Sequence, residues 1–215
     1  MKCPICESVT NNILKHKLID CDILKCSNCY FTFVDCEGYS HEEISQHQKS
    51  HVSGFGNNLI RNDSYIKYLS KINISINNLL EIGTPPNYDF LKKVNKNFPK
   101  ISLYSHDIIK NELPNYIEFH ENKETLLTKD IDILFCIHTL EHIPTNQLKD
   151  FVQFVKNVSK YFVFEVPYCK TKDRIVESST NPHYSFFTED SITNLFGDVN
   201  ITINNKIMKF TNIKK

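Results

Sequence analysis

Ile131-Asp132-Ile133-Leu134-Phe135-Cys136-Ile137-His138-Thr139-Leu140-Glu141-His142-Ile143 is the stretch from which the fold follows. Its first part, Ile131–Ile137, is apolar but for Asp132 and too short for a buried helix. Such a run suits a strand covered on both faces, as in the centre of a parallel sheet. The run stops abruptly at His138, Glu141 and His142, so titratable side chains gather where strand gives way to loop.

Working outward, short apolar runs alternate with amphipathic stretches. Leu79–Ile82, Ile101–Tyr104, Tyr116–Phe119 and Tyr161–Val166 read as further strands. Tyr88–Phe98, with Phe90, Leu91 and Val94 inward, and Asn146–Ser159, with Leu148, Phe151, Val152 and Val155 on one face, read as helices. Leu59–Ile72 shows helical spacing at Ile60, Tyr65, Tyr68 and Leu69. Thr188–Phe196 is a helix capped by Thr188, with Ser191 where a capping box carries Glu or Gln, so only half of that motif is expected. Val199–Ile203 and Ile207–Thr211 close the chain as strands. This alternation predicts an α/β fold with a doubly wound, seven-stranded Rossmann-like sheet.

The N-terminus is of another kind. Cys3-Pro4-Ile5-Cys6 and Cys26-Ser27-Asn28-Cys29 are two C-x-x-C pairs separated by residues 7–25, the spacing of a four-thiolate zinc site. A redox role fits less well, because two copies are present and neither precedes an obvious helix. Free buried cysteines are the bland alternative. A closed thiolate site is structural and performs no chemistry. Three segments are expected: a zinc ribbon over 1–36, a connector with covering helices over 37–72 (including a short helix at His41–His51), and the sheet domain over 73–215. Cys21, Cys36, Cys136 and Cys169 read as ordinary reduced thiols.

The 215 residues carry 25 basic and 25 acidic side chains. That balance offers no electrostatic attraction to nucleic acid or anionic membranes. The only arginines, Arg61 and Arg174, make bidentate clamps on phosphate scarce. The apolar runs are too short to span a bilayer, and the start Met1-Lys2-Cys3-Pro4 is no signal peptide. With eight cysteines, the expectation is a protein of the reducing cytoplasm, with a small-molecule partner and an undetermined oligomeric state.

In a doubly wound sheet ligands bind beyond the carboxyl ends of the strands, where strand order reverses. The residues to inspect are Glu81-Ile82-Gly83-Thr84-Pro85-Pro86-Asn87, His106-Asp107, Glu121-Asn122 and His138 to Ile143. Asp107 stands about two dozen residues after the first strand, placed to accept hydrogen bonds from a ribose diol.

Together, Leu79-Leu80-Glu81-Ile82-Gly83, Asp132 to Ile143, Phe164-Glu165-Val166-Pro167 and His183-Tyr184-Ser185-Phe186-Phe187-Thr188 resemble the class I S-adenosylmethionine-dependent methyltransferases, more narrowly the branch with an N-terminal zinc ribbon. The likeness covers nearly the whole chain. It implies S-adenosylmethionine as methyl donor, a structural zinc ion, and a small-molecule acceptor such as a nucleotide-linked sugar. It also implies that Glu81, Gly83 and Thr84 line the methionine end of the cofactor and that Asp107 holds the ribose hydroxyls. Asn122 or Glu121 would lie near adenine, with His138 at the crevice. His183 is implied as general base, with His142 beside it as a catalytic or loop-fixing residue. Histidine titrates in the useful range for such proton transfer.

Two departures stand out. Where the family usually writes Gly-x-Gly-x-Gly, this chain has Gly83, Pro85 and Asn87. Proline lacks an amide donor, while asparagine tolerates a left-handed backbone. Where relatives often write His-x-His, this chain has Asn181-Pro182-His183. The competing expectation is therefore a non-catalytic binding or scaffold protein that keeps the fold with a degenerate cofactor loop. An RNA-modifying enzyme that docks through its ribbon is disfavoured by the few basic residues there.

Overall fold

The computed structural model describes residues 1–17, 21–35, 59–85, 87–107, 110 and 112–214. The helix expected at His41–His51, and Cys36, lie outside these. The described chain forms two compact units, Val52–Cys136 with Val155–Phe162, and Met1–His51 with Ile137–Phe154 and Val163–Lys215.

The first of these units holds the apolar part of the opening stretch as far as Cys136. Strands β4 (Asn78–Ile82), β5 (Ser102–His106), β6 (Ile117–His120) and β7 (Ile131–Ile137) contribute to the sheet. β4 is central, running parallel to both β5 and β7, and β5 runs parallel to β6. Every residue of β7 is buried, as its apolar composition requires. Helices α1 (Leu59–Leu69) and α2 (Asp89–Asn97) supply Tyr65 and Phe90, whose rings meet Phe135 at 5.5 Å and 4.8 Å between centroids. The one polar residue of β7 has a job: Asp132 Oδ2 accepts the backbone N–H groups of Asn77 (2.7 Å) and Asn78 (3.1 Å) and thereby pins the start of β4. Its other oxygen accepts from Lys160 at 3.0 Å.

The second unit begins with β1 (Thr10–Lys15), β2 (Asp22–Cys26) and β3 (Thr32–Val34), joined in an antiparallel sheet. A fourth strand comes from far along the chain. β9, only Ser185–Phe186, pairs with β3 through Thr32↔Phe186 and Phe33↔Ser185. A backbone bond from Val34 N–H to Tyr184 O (2.9 Å) and a side-chain bond from the Thr145 hydroxyl to Val34 O (3.3 Å) extend the seam. A core of Cys21, Ile23, Val34, Cys169, Ile175, Tyr184 and Phe186 fills the space behind it. The N-terminal module and the segment after His183 are thus one packed body.

Strand β8 (Ser159–Pro167) is followed by α4 (Lys172–Ser178), β9, α5 (Glu189–Phe196) and the hairpin β10 (Asn200–Asn204) and β11 (Ile207–Thr211), with α3 (Leu148–Val158) preceding β8. β11 is antiparallel to β8 and to β10. Phe164 stacks on Phe210 at 4.9 Å, and Phe196 of α5 closes on both. The capping box of α5 is complete, contrary to the half motif expected. Ser191 N–H donates to Thr188 Oγ1 (3.3 Å), and Thr188 N–H donates to Ser191 Oγ (2.9 Å). A serine hydroxyl reaches the N-cap amide here as the longer Glu or Gln usually does.

The large sheet has seven strands in the order β10-β11-β8-β7-β4-β5-β6. Chain order runs outward from β4 to β6 on one side and from β7 on the other, so the order reverses between β4 and β7. The expected doubly wound architecture is present, with an antiparallel edge.

Candidate functional site

At the end of β4 the apolar strand delivers a charge-bearing residue into the core. Glu81 is 2% exposed and its Oε2 is buried without a hydrogen-bond partner. Burial pushes its pKa up to about 8, the nearby carboxylates of Asp107 and Asp89 push the same way, and Arg61 opposes them. Gly83 follows at φ +73°, in the left-handed region where a side chain is strained. Thr84 Oγ1 donates to Glu81 O at 3.1 Å and accepts from Ser105 Oγ at 2.8 Å, which braces the loop against β5. The loop then turns through Tyr88 N–H to Pro85 O at 3.0 Å. The left-handed conformation expected at Asn87 falls instead on Tyr88 (φ 53°), the N-cap of α2. Asn87 is exposed and its side-chain amide donates to Asp89 Oδ2 at 2.6 Å. Asp107 lies half-buried just beyond β5. Asn122 caps a 3₁₀ turn over Lys123–Thr128, its Oδ1 accepting from Glu124 N–H at 3.0 Å.

The histidines form the second group, within the other unit. His138 sits at φ 52°, a left-handed conformation uncommon for residues other than glycine. It is held there by its own N–H to Glu165 O (2.8 Å) and by two carboxylates, Nδ1 to Glu141 Oε1 (3.1 Å) and Nε2 to Glu165 Oε1 (3.0 Å). Burial works to lower its pKa, but the bonds and charges of Glu141 and Glu165 prevail and push it up to about 9. Glu165 is 3% exposed and its other oxygen takes Lys209 at 2.9 Å. The result is an alternating chain of charge, Glu141, His138, Glu165, Lys209, across β8 and β11.

Glu141 also borders the remaining two histidines. His142 donates Nδ1–H to Pro182 O at 3.0 Å, and its ring meets His183 edge-on at 4.7 Å. His183 is 7% exposed and its Nδ1 bonds Ser178 Oγ at 2.6 Å. Burial drives its pKa down to about 3, the charges of His142, His138 and His16 act in the same sense, and Glu141 opposes them. Tyr184 N–H donates to Glu141 O at 2.8 Å, so the two loops are tied backbone to backbone.

At the N-terminus the four cysteine sulfurs lie within 4.8 Å of one another, with Cys3 and Cys29 at 3.6 Å and Cys6 and Cys26 at 3.5 Å. Zinc–sulfur bonds of ~2.3 Å in a tetrahedron put sulfurs about 3.8 Å apart, so the donor set fits zinc. The two turns repeat each other: Glu7 (φ 62°) follows Cys6 and Tyr30 (φ 56°) follows Cys29, each turning the chain sharply after the second ligand.

The structure therefore brings Glu81, Gly83 and Thr84 together with Asp107 nearby in one unit, and His138, His142 and His183 together in the other. Sequence reasoning missed the partnerships of Glu141, Glu165, Lys209 and Ser178. Glu141 was visible beside His142, but Ser178 sits on α4, whose composition gives only a weak helical stripe.

The sequence over residues 57–205 matches the protein family described as methyltransferase domain. Among curated proteins none matches. The fold is similar to that of phosphoethanolamine N-methyltransferase 2 of Haemonchus contortus, solved with phosphomonomethylethanolamine and S-adenosylhomocysteine (11% identity, TM-score 0.57, 80% of this chain and 48% of that one). It is similar also to an O-methyltransferase family protein of Burkholderia thailandensis (10% identity, TM-score 0.53, 80% and 60%). A SAM-dependent methyltransferase of Aquifex aeolicus matches at 14% identity and a TM-score of 0.52, over 78% of this chain and 96% of that one. This chain spans less than two thirds of the length of the first two. No helix among the described residues is long and apolar enough to cross a membrane.

Proposed function

Because this chain belongs to the methyltransferase-domain family, we propose that it transfers a methyl group from S-adenosylmethionine to a small-molecule acceptor, with nucleotide-linked sugars the first class to try. When bound, S-adenosylmethionine supplies a methyl on a positively charged sulfur, and the acceptor's lone pair takes that carbon as the carbon–sulfur bond breaks and S-adenosylhomocysteine leaves.

The observation that carries this reading is the orphaned carboxylate oxygen of Glu81, buried at the carboxyl end of β4 where strand order reverses. A buried carboxylate without a donor is costly and stays protonated unless a positive or donating ligand group arrives. The methionine end of the cofactor is such a group. Gly83 at positive φ keeps the turn above it free of a side chain. In this reading Thr84 acts indirectly, by bracing the turn, and Asp107 accepts the ribose hydroxyls. Asn122, with Oδ1 committed to its cap, offers its amide nitrogen near adenine. His138, fixed between two carboxylates, is assigned to the cofactor. His142 and His183 are assigned to the acceptor side, where a neutral imidazole can meet the acceptor's hydroxyl. Cys3, Cys6, Cys26 and Cys29 are assigned one structural zinc ion, whose ribbon supports the His183 segment through β3 and β9.

The test is calorimetric titration of the zinc-loaded protein with S-adenosylmethionine and S-adenosylhomocysteine. Micromolar binding that is lost in Glu81→Ala supports the reading. No binding of either ligand at millimolar concentration, in protein shown to be folded, overturns it in favour of a scaffold role.

A further inference from the structure

We propose that Glu141, His142 and His183 form a second metal site, separate from the four cysteines, that takes a divalent transition-metal cation such as manganese, iron, cobalt or zinc. One carboxylate oxygen of Glu141 and one ring nitrogen of each histidine lie within 4.8 Å of one another. Two imidazoles with one carboxylate on a single face is a donor set that holds such ions and leaves coordination positions open. Imidazole donors also set it apart from magnesium and calcium sites, which are built of oxygen.

Three further observations point to a ligand. Glu141 is 1% exposed, and while Oε1 bonds His138, its Oε2 is buried with no hydrogen-bond partner. Among the described residues the buried carboxylate oxygens in this state are Asp22 Oδ1, Glu81 Oε2 and this one, which belongs to the cluster. The histidines, moreover, carry the outer bonds that metal ligands usually carry. His142 donates Nδ1–H to the Pro182 carbonyl, which leaves Nε2 as the nitrogen with the lone pair, and His183 Nδ1 is bonded to the Ser178 hydroxyl. Such bonds fix the tautomer and the ring plane before any ion arrives. Finally, the segments bearing the three residues are tied to each other, by Tyr184 N–H to Glu141 O and by His142 to Pro182. The donors are held in place by the fold. A hydrogen-bonded core triad with no ligand leaves Glu141 Oε2 unexplained.

Cation binding does not depend on the methyl-transfer reading. Its use in catalysis does rest on that reading: with a cation bound, His142 and His183 hold the metal rather than the acceptor's proton, and the open positions suit an acceptor that presents oxygen, whose hydroxyl proton the cation helps release to water.

The test is cobalt(II) titration of the metal-free full chain, followed by its visible spectrum. Two equivalents are expected, one for each cluster, the first with intense thiolate charge-transfer bands and the second without them. Glu141→Gln and His183→Ala should each keep the thiolate bands, which report a folded ribbon, and lose the second equivalent. Glutamine preserves the shape of residue 141, so this variant decides the matter where His183→Ala fails to fold. A single equivalent in the unaltered protein, or a second equivalent that survives Glu141→Gln, overturns the proposal. S-adenosylmethionine titration of the same samples keeps the two ideas apart. Cobalt binding without cofactor binding sinks the proposed function alone, and the reverse sinks the metal site alone.

Discussion

Replacing Asp132 with valine sets sequence pattern against structure. β7 is otherwise continuously apolar, and a β-branched residue is what a central strand favours, so pattern alone expects a neutral or stabilising change. The structure predicts the opposite. Asp132 is 5% exposed, and its carboxylate accepts two backbone N–H groups and the Lys160 ammonium. Hydrogen bonds to a charged acceptor are worth about 1.5–3 kcal/mol each. Asn77 is exposed and Asn78 half-buried, so water partly rescues their amides and the lower figure applies. Lys160 is 54% exposed and adds little. The loss is then about 3 kcal/mol, offset by about 1 kcal/mol from burying the valine, for a net cost of about 2 kcal/mol. In a chain of this size that lowers Tm by about 4–8 °C. Asp132→Asn keeps an acceptor but not the charge, and should cost about 1 kcal/mol.

The effect also has a pH signature. Burial works to raise the pKa of Asp132, but the amides of Asn77 and Asn78 and the Lys160 ammonium hold it below the usual range. Its stabilisation is therefore present above about pH 3.9 and lost as pH falls through the lower folded-state value. Urea unfolding of both proteins at about pH 7 and again near pH 3 reads this directly. The gap between them should be open at neutral pH and nearly closed in acid. A valine variant as stable as the parent at neutral pH, or a gap that does not change with pH, refutes the account.

Three further outcomes are expected. Removing metal from the cysteines, by chelation or by Cys29→Ser, should raise amide hydrogen exchange in β3 and, because β9 pairs with it, at Ser185 and Phe186; exchange that rises only in residues 1–35 would break the link. Glu81 is raised, so its carboxyl ionises only as pH approaches 8. Affinity for S-adenosylmethionine should accordingly rise about tenfold for each unit of pH increase up to that point, relative to Glu81→Gln, and level off above it, and parallel pH profiles for the two proteins would count against Glu81 as the contact. Ser191→Ala removes one arm of the capping box of α5 and should cost about 1 kcal/mol, or about 2–4 °C in Tm, by thermal unfolding.

The sequence by itself determined what depends on local patterning. The apolar run of β7, the helical stripes of α2 and α3, and the β–α alternation give a doubly wound sheet whatever the distant contacts, because strand and helix periods differ and each demands its own burial. The C-x-x-C pairs likewise announce four sulfurs on two tight turns, and the structure brings those sulfurs within 4.8 Å of one another. The tertiary structure alone decided which residues meet across the chain. β9 is two residues long and has no period to read, yet it joins the His183 segment to the N-terminal sheet. The use of Asp132 is visible only where the amides of Asn77 and Asn78 come beside it. Glu141 and Glu165, one in a loop and one on a strand whose facing periodicity could not reveal, converge on His138 only when β8 is in place. Side-chain charge pairs depend on positions in space set by packing between elements far apart in sequence, and no local pattern encodes those distances.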